Sequence, residues 1–153
     1  MRLSDVETYE KYADELVRFA TGLVGPDDAA DVVADTFVRL FHSKTWPTVD
    51  RQRAYLYRSV ANEVRMRHRS VIRRRARELR AHRPQDGYEP PEVRPEVLEA
   101  MSVLSPRQRE AIVLTYWEEL TPTEVAELLK ISEGSVRRHL TRGRAKLREV
   151  LNA

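Results

Sequence analysis

The 153-residue sequence contains no cysteine, only five glycines and 7% aromatic residues. Without cysteine it can hold no disulfide framework, no thiol nucleophile and no cysteine-ligated zinc or iron–sulfur centre. No apolar run approaches the roughly 20 residues that a membrane-spanning helix needs. The mixed-charge N-terminus also lacks the apolar stretch of a signal peptide. We therefore expect a cytoplasmic protein without membrane insertion.

Residues that could support catalysis are equally scarce. The histidines are scattered, and none is spaced with carboxylates as a metal site or a catalytic triad requires. The few glycines form no phosphate-binding loop. We therefore expect no enzymatic activity, no metal, no cofactor and no small-molecule substrate.

The net charge of +3 conceals a strong partition along the chain. Residues 1–49 carry 5 basic and 9 acidic side chains, whereas residues 50–83 carry 12 basic and 3 acidic ones. A second basic segment, 130–148, holds 7 basic residues and a single acid. Two separate basic segments predict two surfaces that contact a polyanion. Of the 27 cations 23 are arginine, whose planar fork suits phosphate and guanine edges.

A proline-rich stretch divides the chain. Residues 82–95 hold four of the eight prolines and no apolar periodicity, which predicts an extended linker. On both sides apolar residues recur every three or four positions, which predicts helices, and no alternating strand pattern is present. The expected fold class is all-α, with two small helical domains at 1–81 and 98–153 joined by a flexible linker at 82–97.

The second domain carries the pattern of a helix-turn-helix. Capping boxes at Ser105 to Gln108 and at Thr121 to Glu124 start two helices, and residues 131–134 turn the chain into a long basic helix. An apolar seam on that helix lies beside a broad cationic face, and its N-terminal amides suit a DNA phosphate. We predict DNA contacts from six residues of its first turns: Ser132, Ser135, Arg137, Arg138, Thr141 and Arg142.

Motifs in both halves resemble those of one family. The second half resembles the C-terminal DNA-binding domain of bacterial extracytoplasmic-function (ECF, group 4) sigma factors of the sigma-70 family, in segments 104–110, 124–129 and 131–148. Residues 28–39 resemble the core-polymerase-binding helix of that family, and residues 54–62 resemble the start of its promoter-melting helix. Both halves occur in the family's order with a linker between them, which is more specific than a helix-turn-helix alone.

The resemblance implies a function. An ECF sigma factor binds core RNA polymerase, at the β′ clamp helices and the β flap, and directs transcription initiation at promoter DNA. Residues 98–153, as region 4, would read the −35 element, and residues 1–81, as region 2, would melt the −10 element by trapping a flipped base. An anti-sigma factor is a further expected partner. We expect no added C-terminal domain after Ala153 and therefore expect regulation by a partner, by expression level or by proteolysis.

The resemblance also assigns site residues. Expected contacts to the polymerase are Asp31, Asp35, Phe37 and Arg39, and expected contacts to the −10 element are Tyr55, Arg58, Asn62, Arg65 and Arg69. Trp46, Tyr55 and Tyr57 are candidates for stacking on the flipped base, although Trp46 is of a type more often found in the core. The arginine run 73–80 is expected to follow backbone phosphates.

Two alternatives remain open from the sequence. One is a helix-turn-helix transcription regulator that binds DNA without core polymerase, and the other is a nonspecific nucleic-acid-binding protein. The sequence also departs from the family pattern, with Lys130 where glycine is common, Gly143 where alanine is usual and Tyr55 where tryptophan is usual. At Lys130 the expected positive φ would cost on the order of 1 kcal/mol.

Overall fold

The computed structural model of the protein describes residues 2–78 and 94–152, with the side chains of 68–78 and Pro95 outside that description. The described residues form seven α helices, one short 3-10 helix and no strand, so the predicted all-α fold is confirmed. The elements are α1 (Asp5–Val24), α2 (Pro26–Phe41), the 3-10 helix Trp46–Thr48, α3 (Gln52–Glu78), α4 (Pro95–Met101), α5 (Pro106–Tyr116), α6 (Pro122–Leu129) and α7 (Glu133–Leu151).

The expected linker at 82–97 falls mostly on residues that lie outside the described ranges. Its last three residues belong to α4, which begins at Pro95. The arginine run 73–80 has no described side chains. We call α1 to α3 the N-terminal half and α4 to α7 the C-terminal half.

The N-terminal half is a three-helix bundle. Ser4 caps α1, and its hydroxyl and the Glu7 carboxylate complete a reciprocal capping box. At the other end Gly25 takes φ 87°, which a residue without Cβ adopts at little cost, and Pro26 starts α2 directly behind it. The helices pack around fully buried Phe19 and Tyr57, whose rings lie 4.9 Å apart.

The C-terminal half contains the predicted helix-turn-helix. Both predicted capping boxes are present, with Ser105 accepting from the Gln108 amide and Thr121 from the Glu124 amide, each at 3.2 Å. After α6, Lys130 takes φ 57° and ψ 47°, the left-handed conformation predicted for this turn. Buried side chains of α5, α6 and α7 form the core beneath the turn, among them Leu114, Leu128, Val125, Val136 and Leu140.

Gly143 has a packing reason that the sequence did not reveal. It is buried in α7, and a Cβ at this position would lie 3.2 Å from Ile112 Cγ1 and 3.5 Å from Gln108 Cβ. The 3.2 Å distance is tighter than ordinary van der Waals contact and the 3.5 Å distance is not, so the missing side chain lets α7 lie slightly closer against α5.

The two halves contact each other directly. The Arg109 guanidinium is 4% exposed and donates to the Leu23 carbonyl at the end of α1 at 2.6 Å. It also donates to the carbonyls of Met101 and Leu104, each at 3.1 Å, and so holds its own half together. In the sequence Arg109 stands out only as part of a helix-start motif, and nothing near it indicates this contact.

Candidate nucleic-acid and polymerase interfaces

Two serines shape the start of α7. The Ser132 hydroxyl caps the helix by accepting a hydrogen bond from the Ser135 amide at 3.1 Å, and the two hydroxyl oxygens lie 2.9 Å apart. The macrodipole and the amides of this turn favour an anion. Arg137 donates to Glu133 at 2.8 Å, which neutralises part of the positive charge within the helix.

The exposed face of α7 carries the predicted basic residues. Arg137, Arg138, Thr141 and Arg142 are all exposed within its first three turns. Arg138 donates to the Ser135 hydroxyl at 3.0 Å, and the Thr141 hydroxyl donates to the Arg137 carbonyl at 2.9 Å. The structure therefore places the six predicted residues together at one end of the helix, with the cations pointing toward solvent.

His139 lies between this face and α5. The pKa of the imidazole is lowered mainly by burial. The positive charges of Arg107, Arg138 and Arg142 lower it further. The ring is therefore neutral at pH 7 and adds no charge to the basic face. In the sequence His139 is one of four scattered histidines, and no pattern there indicates its lowered pKa.

A second face with predicted DNA contacts runs along α3. Tyr55, Arg58, Asn62 and Arg65 follow one another at intervals of three or four residues, so they share one side of the helix. The Arg58 guanidinium lies 5.6 Å from the Tyr55 ring centre, and Arg65 donates to the Asn62 carboxamide oxygen. The side chain of Arg69, the fifth predicted contact, lies outside the described residues.

The three aromatic candidates for base stacking differ in exposure. Trp46 is 1% exposed and donates from Nε1 to Asp5 at 2.9 Å, and Tyr57 is fully buried and donates to Glu15 at 2.9 Å. Only Tyr55 of the three is partly exposed. Trp46 and Tyr57 therefore support the loop and helix from the core, because neither ring can reach a flipped base in this conformation.

The predicted polymerase-binding residues lie on α2. Asp31, Asp35 and Arg39 are exposed and spaced four residues apart, which places them along one side of the helix. Phe37, by contrast, is 3% exposed, and its ring centre lies 5.1 Å from that of Tyr9. Phe37 thus packs in the core and supports the helix, where the resemblance implied a contact residue.

An ion-pair network fixes this side of α2 against α3. Glu63 accepts hydrogen bonds from Arg39 of α2 and from Arg67 of α3, and Arg67 also pairs with Asp35. Burial alone would raise the pKa of Glu63. The hydrogen bond from Arg39 and the positive charges of Arg39 and Arg67 outweigh it, so the pKa lies below its usual value. The carboxylate is therefore charged at neutral pH, and these ion pairs join the expected docking face of α2 to the expected DNA-binding helix α3.

The C-terminal half has an apolar groove of about 200 Å³ between α4, α5 and α7. Tyr116 and Leu151 on its rim are 53% and 62% exposed. The residues that line it are Val97, Ala100, Met101, Ile112, Val113, Tyr116, Trp117, Leu147 and Leu151. This groove could not be predicted from the sequence, since it forms only when the three helices pack together.

Among the described helices, none combines the length and the apolar character that crossing a membrane requires.

Comparisons with known proteins agree with this architecture. The family model described as Sigma-70 region 2 matches residues 8–78, and the model described as Sigma-70, region 4 matches residues 94–147. The chain is 32% identical to the RNA polymerase sigma-E factor of Streptomyces coelicolor, over 99% of this chain and 90% of that protein. It is 30% identical to the ferric citrate uptake sigma factor FecI of Escherichia coli, over 75% and 71%.

Solved structures with the same fold cover both halves. One is CnrH in complex with the cytosolic domain of CnrY, with 26% identity, a TM-score of 0.68 and coverage of 97% of this chain and 87% of that chain. The sigma factor RpoE of Bartonella quintana, solved with the anti-sigma factor NepR, gives 24% identity, a TM-score of 0.64 and coverage of 95% and 94%.

Two helical regions, each matching a sigma-70 model, define a transcription initiation factor. The chain belongs to the extracytoplasmic-function RNA polymerase sigma factors of the sigma-70 family.

Proposed function

We propose that this sigma factor recruits core RNA polymerase through α2 and reads promoter DNA through α3 and α7. One observation carries the proposal: both DNA-binding faces and the α2 face occur on a single chain that matches region 2 and region 4 in order. A helix-turn-helix regulator that acts without polymerase is not favoured, because it would need no counterpart of region 2. The catalytic chemistry belongs to the polymerase, and the factor acts in the cytoplasm, where its polymerase and promoters are.

The exposed side of α2 is the proposed contact to the β′ clamp helices. Asp31 and Asp35 present carboxylates to solvent there, and Arg39 adds a cation one turn further on. Asp35 pairs with Arg67 of α3, and Arg39 pairs with Glu63 of the same helix. Asp31 forms no ion pair with another described residue. A single exposed charge near the centre of an interface can carry more than 1 kcal/mol of binding free energy.

Asp31→Lys is therefore expected to weaken binding to core polymerase about tenfold, which is about 1.4 kcal/mol. The measurement is the dissociation constant of the labelled full chain for purified core enzyme. Asp14→Lys makes the same charge reversal at an exposed position of α1 and should bind within about twofold of the wild type. Equal losses for the two variants would contradict docking through α2, because they would show a general charge effect.

The basic face of α7 is the proposed reader of the −35 element. Arg138, Thr141 and Arg142 project from the second and third turns, where a recognition helix meets base edges in the major groove. Arginine can bind guanine O6 and N7 with two hydrogen bonds, which discriminates against other bases by about 1–3 kcal/mol. The amides of the first turn, next to Ser132 and Ser135, would bind a backbone phosphate and set the register.

Arg142→Ala should therefore lose about 1–3 kcal/mol of binding at one base pair of the −35 element and little at the others. The check is transcription by the holoenzyme from a library with every −35 substitution. Arg148→Ala removes an exposed cation from the last turns of the same helix and should weaken all promoters alike. A loss for Arg142→Ala that is the same on every −35 sequence would rule out base reading by this residue.

The exposed side of α3 is the proposed contact to the −10 element. Asn62 can bind base edges, Arg58 and Arg65 can bind phosphates or bases, and Tyr55 is the remaining candidate for stacking on an unpaired base. The loop that precedes α3 contains the buried Trp46, which holds the loop against the bundle. In this arrangement the aromatic core positions the loop, and the proposed contact residues follow it along one side of α3.

The apolar groove of the C-terminal half is the proposed contact to the β flap. An open groove with apolar walls and exposed aromatic rims accepts the apolar face of a helix. An anti-sigma factor is a proposed partner as well, because the solved structures with this fold include complexes with NepR and with the cytosolic domain of CnrY.

A further inference from the structure

The residues around the start of α1 lie against the loop that leads into α3. We name residues 2–8 the N-terminal segment and residues 42–51 the connecting loop. Arg2 donates from Nη1 to the Val49 carbonyl at 2.6 Å. Its guanidinium carbon also lies 4.9 Å from the ring centre of Trp46, which is within the range of a cation–π contact. The N-terminal segment therefore contacts both ends of the 3-10 helix in the connecting loop.

Gln52, the first residue of α3, joins the same segment from the core. Its carboxamide oxygen accepts a hydrogen bond from the Leu3 amide at 3.1 Å. Its nitrogen donates to the Leu3 carbonyl at 3.2 Å and to the Thr8 hydroxyl at 3.4 Å. Gln52 is 7% exposed and Thr8 is fully buried, so loss of these bonds would leave polar groups without ready access to water. The N-terminal segment thus fixes the point at which α3 begins.

A third set of contacts passes through Trp46 to the proposed DNA-binding face. Asp5 accepts a hydrogen bond from the indole Nε1 at 2.9 Å, while Arg2 lies over the ring of the same indole. The ring centre of Trp46 lies 6.1 Å from that of Tyr55, and the Arg58 guanidinium lies 5.6 Å from the Tyr55 ring centre. An unbroken chain of contacts therefore runs from the N-terminal segment through a buried indole to the residue proposed to stack on an unpaired base.

We propose that the N-terminal segment positions the −10 contact, with Arg2 and Gln52 as its positioning residues. They hold the connecting loop and the start of α3 in the arrangement that receives an unpaired base, and they do so without touching DNA. The reason is energetic: extruding a base from the duplex is costly, and a face that is already ordered loses less conformational entropy when it binds that base. This inference rests on the proposed −10 contact of α3.

The contribution of the −10 element to binding can be isolated in the holoenzyme. The probes derive from a promoter selected from a random-sequence library by transcription with the wild-type holoenzyme. One fragment is a duplex that ends upstream of the −10 element, and the other continues the same duplex with the single-stranded non-template −10 sequence. The ratio of the two dissociation constants gives the gain from the −10 element. Partial unfolding or weaker −35 binding changes both constants alike, whereas a misplaced −10 face lowers the gain itself.

Arg2→Ala and Gln52→Met should each lower this gain about five- to tenfold, because each removes contacts that fix the loop and the start of α3. Arg2→Lys keeps a cation that can still donate to Val49, so its gain should lie between those of Arg2→Ala and the wild type. Lys11→Ala removes an exposed cation from α1 and should stay within about twofold of the wild type. Equal affinity of all four variants for core polymerase would show that they are folded.

The possible failures are distinct from one another. A wild-type gain in both Arg2→Ala and Gln52→Met would overturn the positioning role and leave the −10 contact of α3 intact. A reduced gain for Arg2→Ala alone would also overturn it, because Arg2 would then act on DNA directly. If the wild-type holoenzyme itself gains nothing from the single-stranded extension, the proposed −10 contact is wrong, and the positioning role is wrong with it.

Discussion

Replacing Trp46 by alanine is expected to destabilise the N-terminal half by about 3–5 kcal/mol, as is usual for a large aromatic residue removed from a core. The indole is 1% exposed and its ring centre lies 6.0 Å from that of Phe41 and 6.1 Å from that of Tyr55. The change would also leave the Asp5 carboxylate without the indole N–H. The measurement is urea unfolding of the full chain followed by circular dichroism.

The other tryptophan of the chain provides the control for this experiment. Trp117 is 38% exposed, so Trp117→Ala should cost less than half as much free energy of unfolding. If Trp46→Ala proves no more destabilising than Trp117→Ala, the placement of Trp46 in the core is wrong. A stacking role for Trp46 on a flipped base would then regain support.

Arg109→Met is expected to cost about 3 kcal/mol of unfolding free energy, because charge-assisted hydrogen bonds to three carbonyls are lost together. Met fills a similar volume, so the loss comes from the hydrogen bonds to the carbonyls of Leu23, Met101 and Leu104, of which the Met101 carbonyl still accepts from the Leu104 amide at 3.1 Å. Arg109→Lys keeps the charge but cannot reach all three acceptors, and it should fall between Met and the wild type.

Arg107→Met is the matched control for Arg109. The Arg107 side chain is 34% exposed and pairs with Glu110. Arg65 pairs with the same carboxylate, so Glu110 keeps one partner when Arg107 is replaced. Its loss should cost less than about 1 kcal/mol. Urea unfolding of the four proteins provides the comparison, and equal losses for Arg107→Met and Arg109→Met would contradict the role assigned to Arg109.

The features that the sequence predicted correctly are those that depend on neighbouring residues. Capping boxes join residues three apart, so Ser105 with Gln108 and Thr121 with Glu124 could be found without a structure. The left-handed conformation of Lys130 was implied by the resemblance, because the family commonly has glycine at this position of the turn. The exposed cations of α7 followed from helical periodicity, which places them opposite the apolar seam.

The features that were missed depend on contacts between distant segments. Phe37 falls on the apolar stripe of α2 and was expected to be partly packed, but its near-complete burial depends on neighbours such as the ring of Tyr9, 28 positions earlier. The partners of Glu110 and Gly22 are contributed by the opposite half of the chain. No local pattern distinguishes Arg109, buried at 4% exposure, from the exposed arginines around it. Those placements follow from packing, which a single sequence does not display.

Gly143 lies on the inner side of α7, away from the exposed face that carries Arg138 and Arg142. A methyl group added there would lie 3.2 Å from Ile112 Cγ1, so α5 or α7 would have to give by a few tenths of an ångström. If the proposed −35 contacts are made by α7, a substitution at Gly143 can act on promoter binding only through the seating of that helix on α5. The amino acid at an inner position thus belongs to the DNA-binding surface by its packing, although its side chain is not part of that surface.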